Sequence, residues 1–175
     1  MTDEKLTNEI AKHPFVKGMK SRHVEALASC GAPIWFPRNE MIFAEKYPAN
    51  RFYLILEGKV ALETDVGGRG MVVPIQTLGP GEELGWSWLL AKPYYHFDGR
   101  AVEATRAIAF HGDDLRKVCE QDHDFGYELF KRMSESIARQ LEATDRRLEE
   151  LCLIFDKQSS DQAEATLRRW SDTSS

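Results

Sequence analysis

At 175 residues the chain is long enough for one core-bearing domain plus an extension and too short for two full domains. A formal charge of −5, with 42% apolar and 29% charged residues, is ordinary for a globular protein and argues against a nucleic-acid-binding surface. No apolar run reaches about 18 residues and no basic, then apolar leader opens the chain, so neither a membrane span nor a secretory signal is expected; Cys30, Cys119 and Cys152, odd in number and widely spaced, suit a reducing, cytoplasmic compartment.

Residues 6–30 read as helical, interrupted at Pro14 and Gly18. Ser21 is placed to cap a short helix with Val24, Leu27 and Ala28 at helical spacing. From about 32 to 111 the pattern becomes that of strands: Ile34–Phe36, Met41–Phe43, Phe52–Leu56, Val60–Thr64 and Met71–Ile75, then two more near Tyr95–Glu103 and Arg106–His111. Turn signals separate them at Pro37-Arg38-Asn39, Pro48-Ala49-Asn50, Glu57-Gly58-Lys59 and Gly67-Gly68-Arg69-Gly70. Many short strands at regular spacing predict a sandwich or roll.

Within this region Leu78-Gly79-Pro80-Gly81-Glu82-Glu83-Leu84-Gly85 runs into Trp86-Ser87-Trp88-Leu89-Leu90. A glycine-rich turn that leads into a helix start leaves free N–H groups able to cradle an anion. From Asp113 the period is helical again: Asp113 or Asp114 caps a short helix containing Leu115 and Val118, and a long helix spans about 124–155. In that helix Phe130, Ile137, Leu141, Leu148, Leu151 and Phe155 fall on a 4-3-4-3 spacing once Ser134 and Thr144 are included, the seam of a two-stranded coiled coil. Residues 156–175 read as a polar, flexible tail with one helical turn around Ala163–Trp170.

These residues resemble the cyclic-nucleotide-binding domain family, in the arrangement of the catabolite activator and related bacterial regulators. The resemblance rests on His13-Pro14-Phe15, on Phe52-Tyr53-Leu54-Ile55-Leu56-Glu57-Gly58-Lys59-Val60, on the Leu78–Gly85 turn and on Phe125-Gly126-Tyr127-Glu128-Leu129, and it covers roughly residues 10–150. It implies a mainly β domain, an eight-stranded antiparallel β-roll with N-terminal helices and a C-terminal dimerisation helix. It also implies a phosphate cassette in which a Glu accepts the ribose 2′-hydroxyl and an Arg neutralises the cyclic phosphate. Here Trp86 follows Gly85 where the Glu is expected, and Trp is no carboxylate acceptor. The position of the Arg falls at Tyr95, or at His96 under a different gap. Strand alternation puts Tyr95, Phe97, Gly99 and Ala101 on an inward face and His96, Asp98, Arg100 and Val102 outward, unless a bulge at Gly99 brings Arg100 inside.

The candidate ligand pocket is therefore Gly85, Trp86, Ser87, Trp88, Tyr95, Phe97 and Arg100, with Tyr94 nearby and Gly58, Gly79 and Gly81 shaping the turns. Its aromatic character suits a small aromatic or neutral ligand, or a roll filled by its own side chains. His96 and Arg100 are an outer anion site or simply solvated residues. The five histidines lack metal-ligand spacing, no iron–sulfur or haem ligand set is present, and no catalytic constellation or cofactor motif occurs, so no metal, cofactor or enzymatic role is expected. Only twenty residues follow Phe155, and Arg168-Arg169-Trp170 is no recognition helix, so direct DNA binding is not expected. The reading is a homodimeric, cytoplasmic sensor or regulatory module that does not bind cAMP or cGMP in the usual way. Two alternatives stand beside it: a genuine cyclic-nucleotide regulator using Arg100, and a ligand-free adaptor whose helix and tail dock on a protein partner.

Overall fold

A computed structural model describes the backbone of residues 3–66, 70–90 and 92–172, and the side chains of these except 3, 155 and 158–172. The Gly67–Arg69 part of one expected turn lies outside the described residues, as do the side chains of Phe155, Arg168, Arg169 and Trp170. The chain divides into two units, one ending at Arg139 and one beginning at Gln140.

In the first unit, α1 (Asp3–Ala11), a 3-10 turn (Pro14–Val16) and α2 (Ser21–Ser29) precede the strands. These are β1 (Gly31–Phe36), β2 (Met41–Phe43), β3 (Arg51–Glu57), β4 (Val60–Asp65), β5 (Val72–Leu78), β6 (Glu83–Leu84), β7 (Asp98–Ala101) and β8 (Thr105–His111). A second 3-10 turn, Trp86–Leu89, lies between β6 and β7; α3 (Gly112–Gln121) and α4 (His123–Asp172) follow. The strands form two antiparallel four-stranded sheets, in the orders β1-β8-β3-β6 and β2-β7-β4-β5.

The sequence of β3 shows why two cores form. Its side chains alternate in direction, yet Phe52 to Ile55 are all buried. Phe52 and Leu54 join Ile108 and Phe110 of β8 against Ile10, Leu27, Leu115, Phe125, Leu129 and Met133 of the helices. Tyr53 and Ile55 face the other way with Ala107 and Ala109, meeting Val60, Leu62, Leu78 and Ala101 between the sheets. A sheet covered on both faces reads as a continuous apolar run.

The structure refines four local expectations. Lys20, not Ser21, occupies the N-cap of α2 and its side chain makes no capping bond. His111 rather than an aspartate precedes α3, with Asp113 and Asp114 in the first turn, where carboxylates favour the helix dipole. Glu83-Leu84, read as turn, is the two-residue β6 paired to Tyr53 and Leu54. The helical backbone continues past 155 to Asp172, consistent with the lack of glycine or proline after Gly126.

His13 is buried at the N-terminal 3-10 turn. Its Nδ1 accepts the Phe15 N–H (3.2 Å), so Nε2 carries the proton and donates to the Ile55 carbonyl (3.2 Å). Burial holds its pKa below the ordinary value, against the opposing pull of the Ile55 bond and of Glu83. The unfolded chain therefore binds a proton at this residue before the folded one does. Stability should fall as pH drops below about 6.5, the unfolded histidine value. Urea unfolding at pH 7.5 and 5.5 checks this; His13→Asn should flatten the slope in that window.

The second unit is helical from Gln140 to Asp172, with Leu141, Leu148, Leu153 and Ile154 exposed. The Thr144 hydroxyl donates to the Gln140 carbonyl (2.9 Å), and Arg147 pairs with Glu150 (2.8 Å). No helix among the described residues is long and apolar enough to cross a membrane.

Candidate functional site

The cassette is built on β6. Gly85 sits at φ 84°, and a Cβ there would fall 2.6 Å from the Arg51 carbonyl oxygen, so only glycine lets the chain pass β3. Gly58, at the β3–β4 turn, is equally constrained: φ is 83° and a Cβ would meet the Ala104 carbonyl at 2.2 Å. The Gly79 N–H donates to the Glu82 carboxylate (2.7 Å), and the Gly81 N–H to the Ile55 carbonyl (2.9 Å). Glu83 is buried and ion-paired with Arg139 of α4. Both acids of the turn thus have structural partners.

After Gly85 the chain makes only the four-residue 3-10 turn Trp86–Leu89, with no side-chain cap. A turn of that length carries little of a helix macrodipole. It also divides the expected aromatic cluster, because successive residues rotate by about 120°. Trp88 is fully buried in the core between sheet and helices, its ring against Gly112 and 5.6 Å beneath the Arg116 guanidinium. Trp86 stacks on His96 (5.3 Å, 21°), and His96 Nδ1 lies 3.2 Å from the Ser87 hydroxyl. Tyr95 is buried inside the roll, stacked on Phe43 (4.0 Å, 12°), with its hydroxyl donating to the Arg51 carbonyl (3.3 Å). Phe97 packs against the same inter-sheet core, while Tyr94 is half exposed and bridges Pro48.

The irregularity that would decide the direction of Arg100 lies on β2, between Met41 and Phe43. On its other side β7 pairs regularly with β4, from Val60–Ala101 to Glu63–Asp98. Gly99 and Ala101 are buried, the former against the Phe43 ring, so Arg100 faces outward. Its Nε donates to Glu63 at 2.5 Å and its Nη1 to the Asn39 carbonyl at 3.4 Å. His96 and Arg100 are each engaged by other groups, and no contact between them joins an outer anion site.

A cavity of about 290 Å³ lies beside the ring stack, lined by Phe36, Phe43, Asn50, Arg51, Tyr53 and Tyr95 among others. Phe43 lies between Tyr95 and Tyr53, whose centroid is 6.3 Å away at 23°. Burial pushes both tyrosine hydroxyls to higher pKa, so they are neutral donors. Arg51 and Tyr95 line the cavity together with Tyr53. The reading of the sequence missed Arg51, which shares strand parity with the inward Tyr53 and Ile55; that parity was the available signal. The lining offers aromatic surface, hydroxyl donors and one cation, but no nucleophile–base pair. No cluster of three or more metal-ligating side chains occurs among the described residues.

The cyclic nucleotide-binding domain family matches residues 33–122. A CRP-like cAMP-activated global transcriptional regulator of Mycobacterium tuberculosis is 25% identical over 143 residues, which cover 81% of this chain and 61% of that relative. The chain thus spans about three-fifths of the curated relative's length. Among solved structures, the Thermus thermophilus catabolite activator protein is 26% identical with a TM-score of 0.63, covering 79% of this chain and 63% of that one. The regulatory subunit of a cAMP-independent protein kinase A from Trypanosoma brucei has a TM-score of 0.65 at 17% identity, covering 85% and 51%, a likeness of fold. With that match over more than half its length, an eight-stranded double-sheet roll and the long helix, the chain belongs to the cyclic nucleotide-binding domain family.

Proposed function

We propose that this chain is a non-enzymatic, cytoplasmic regulatory module that works without holding a cyclic phosphate in its family's usual manner. The observation that carries the reading is Tyr95. It stands, with His96, at one of the two positions where the resemblance calls for the phosphate-neutralising Arg, and it is committed to Phe43 and to the Arg51 carbonyl. Trp86 stands where the ribose-binding Glu belongs, and Arg100 is committed to Glu63. A cyclic phosphate placed on the cassette would be desolvated beside rings, at a cost of several kcal/mol that one short turn does not offset. The neighbour from T. brucei is itself described as part of a cAMP-independent kinase, which supports a regulatory use of this fold apart from cAMP.

The signal passes to α4. Buried Glu83, two residues before Gly85, is paired with Arg139, so a shift of the cassette strand is felt by that helix. The module acts as a homodimer. The heptad Phe130, Ser134, Ile137, Leu141, Thr144, Leu148, Leu151 supplies the seam, and Phe130, Leu141 and Leu148 are exposed in the single chain. Thermal unfolding with 1 mM cAMP or cGMP tests the reading. A ligand present at a hundred times its Kd stabilises by about 2.7 kcal/mol, or several degrees in Tm. The expected result is no shift beyond about 1 °C by that measure, alike in wild type and Arg100→Ala. A shift of several degrees that Arg100→Ala abolishes would favour the Arg100-dependent nucleotide regulator instead.

A further inference from the structure

The cavity inside the roll holds a charge with no countercharge. Arg51 opens β3 with the strand parity of Tyr53 and lines the cavity beside it. Among the described residues it forms no ion pair, whereas Arg100, Arg106, Arg116 and Arg139 each have a carboxylate. Around it stand Phe36, Phe43, Tyr53 and Tyr95, with the Asn50 residue at the same wall. The cavity runs out to Tyr47, which is 67% exposed, so a ligand has an entrance. Aromatic walls favour a flat ligand, and a single unpaired guanidinium with a neighbouring phenol selects one anionic group of planar geometry.

We propose that this cavity binds an aromatic monocarboxylate, its ring against Phe43 and Tyr95 and its carboxylate on the Arg51 guanidinium with the Tyr53 hydroxyl as a second donor. The proposal rests on the reading that the cassette does not hold a cyclic phosphate. A volume of about 290 Å³ takes a one- or two-ring acid comfortably. A nucleotide would bring a ribose and a polar base to walls made mostly of carbon, leaving its hydroxyls and ring nitrogens without partners. The cavity lies beside the start of the cassette: the Tyr53 ring is 3.5 Å from where a Gly85 Cβ would stand. A ligand that moves Tyr53 therefore presses on the strand that carries Glu83.

The test uses 2-naphthoate and its uncharged counterpart 2-naphthalenemethanol, titrated into the full chain by calorimetry, with cAMP as a separate arm. Wild type should prefer the acid by about tenfold or more, the scale of a hydrogen bond to a charged group. Arg51→Gln should erase the preference and leave the alcohol's affinity unchanged, Arg51→Lys should keep part of it, and Tyr53→Phe should weaken the acid by a few-fold. Arg51 is only part-buried and Tyr53→Phe preserves the ring, so these variants should keep the wild-type Tm. Equal affinity for acid and alcohol, an acid affinity untouched by Arg51→Gln, or no binding of the acid at all would overturn the proposal. None of those outcomes bears on the cassette reading, which fails only through the cAMP arm. A cAMP complex lost in Arg51→Gln would also overturn the assignment to a carboxylate.

Discussion

Replacing Trp88 by alanine should cost about 3–5 kcal/mol of folding stability, a large part of what a domain of this size has. The indole is fully buried among Phe52, Phe110 and Leu115, and its neighbours are sheet and helix side chains with little freedom to collapse into the space. The Arg116 guanidinium lies over the ring and also donates to the Trp88 carbonyl, so the truncation strips one partner from a cation that is otherwise held by Asp113. Urea denaturation of the variant gives the number. Trp86→Ala is the control: two residues away, half-buried and stacked on His96, it should cost only about 0.5–1.5 kcal/mol beyond its lost contact area. Comparable losses in the two variants would contradict the assignment of Trp88 to the core and of Trp86 to its partly buried margin.

The second large effect concerns assembly. Leu141→Glu combined with Leu148→Glu should convert a dimer into a monomer at all concentrations accessible to sedimentation analysis. Both residues are exposed in the single chain and fall on the proposed heptad seam. Burying a leucine is worth about 1.5–3 kcal/mol. Four such residues per dimer amount to about 6 kcal/mol or more, and each 1.4 kcal/mol is a decade in the dissociation constant. The seam also contains Ser134 and Thr144, whose hydroxyls bond back to the Phe130 and Gln140 carbonyls, so it is weaker than an all-apolar one. A wild-type chain that sediments as a monomer at tens of micromolar would remove the dimer from the account.

Much of the architecture is legible because its signals are local and repeated. Glycines 58, 81 and 85 sit at positive φ where the turns were read, and the alternation of Tyr95, Phe97, Gly99 and Ala101 matches an inward face. The direction of Arg100 required knowing on which strand the bulge fell, and that is a property of the pairing of β2 with β7. Trp86 and Trp88 group together in the sequence because only Ser87 separates them. A 3-10 turn rotates two such residues by about 240°, and only tertiary packing says which side faces the core. Glu83-Leu84 carries no strand signal of its own; it becomes β6 because Tyr53 and Leu54 pair with it. Arg51 has the parity of an inward residue, but a charged residue opening a strand reads as solvated until the structure shows the phenols beside it.

The cassette lacks both charged contacts that the family resemblance implies, the Arg for the cyclic phosphate and the Glu for the ribose, and is therefore expected not to hold a cyclic nucleotide in the usual manner. Calorimetric titration of cAMP, and then cGMP, into the wild-type protein near neutral pH measures this directly. The expected result is no saturable heat up to about 1 mM, the weak end of the affinity scale. A complex with a micromolar or tighter Kd for either nucleotide would contradict it.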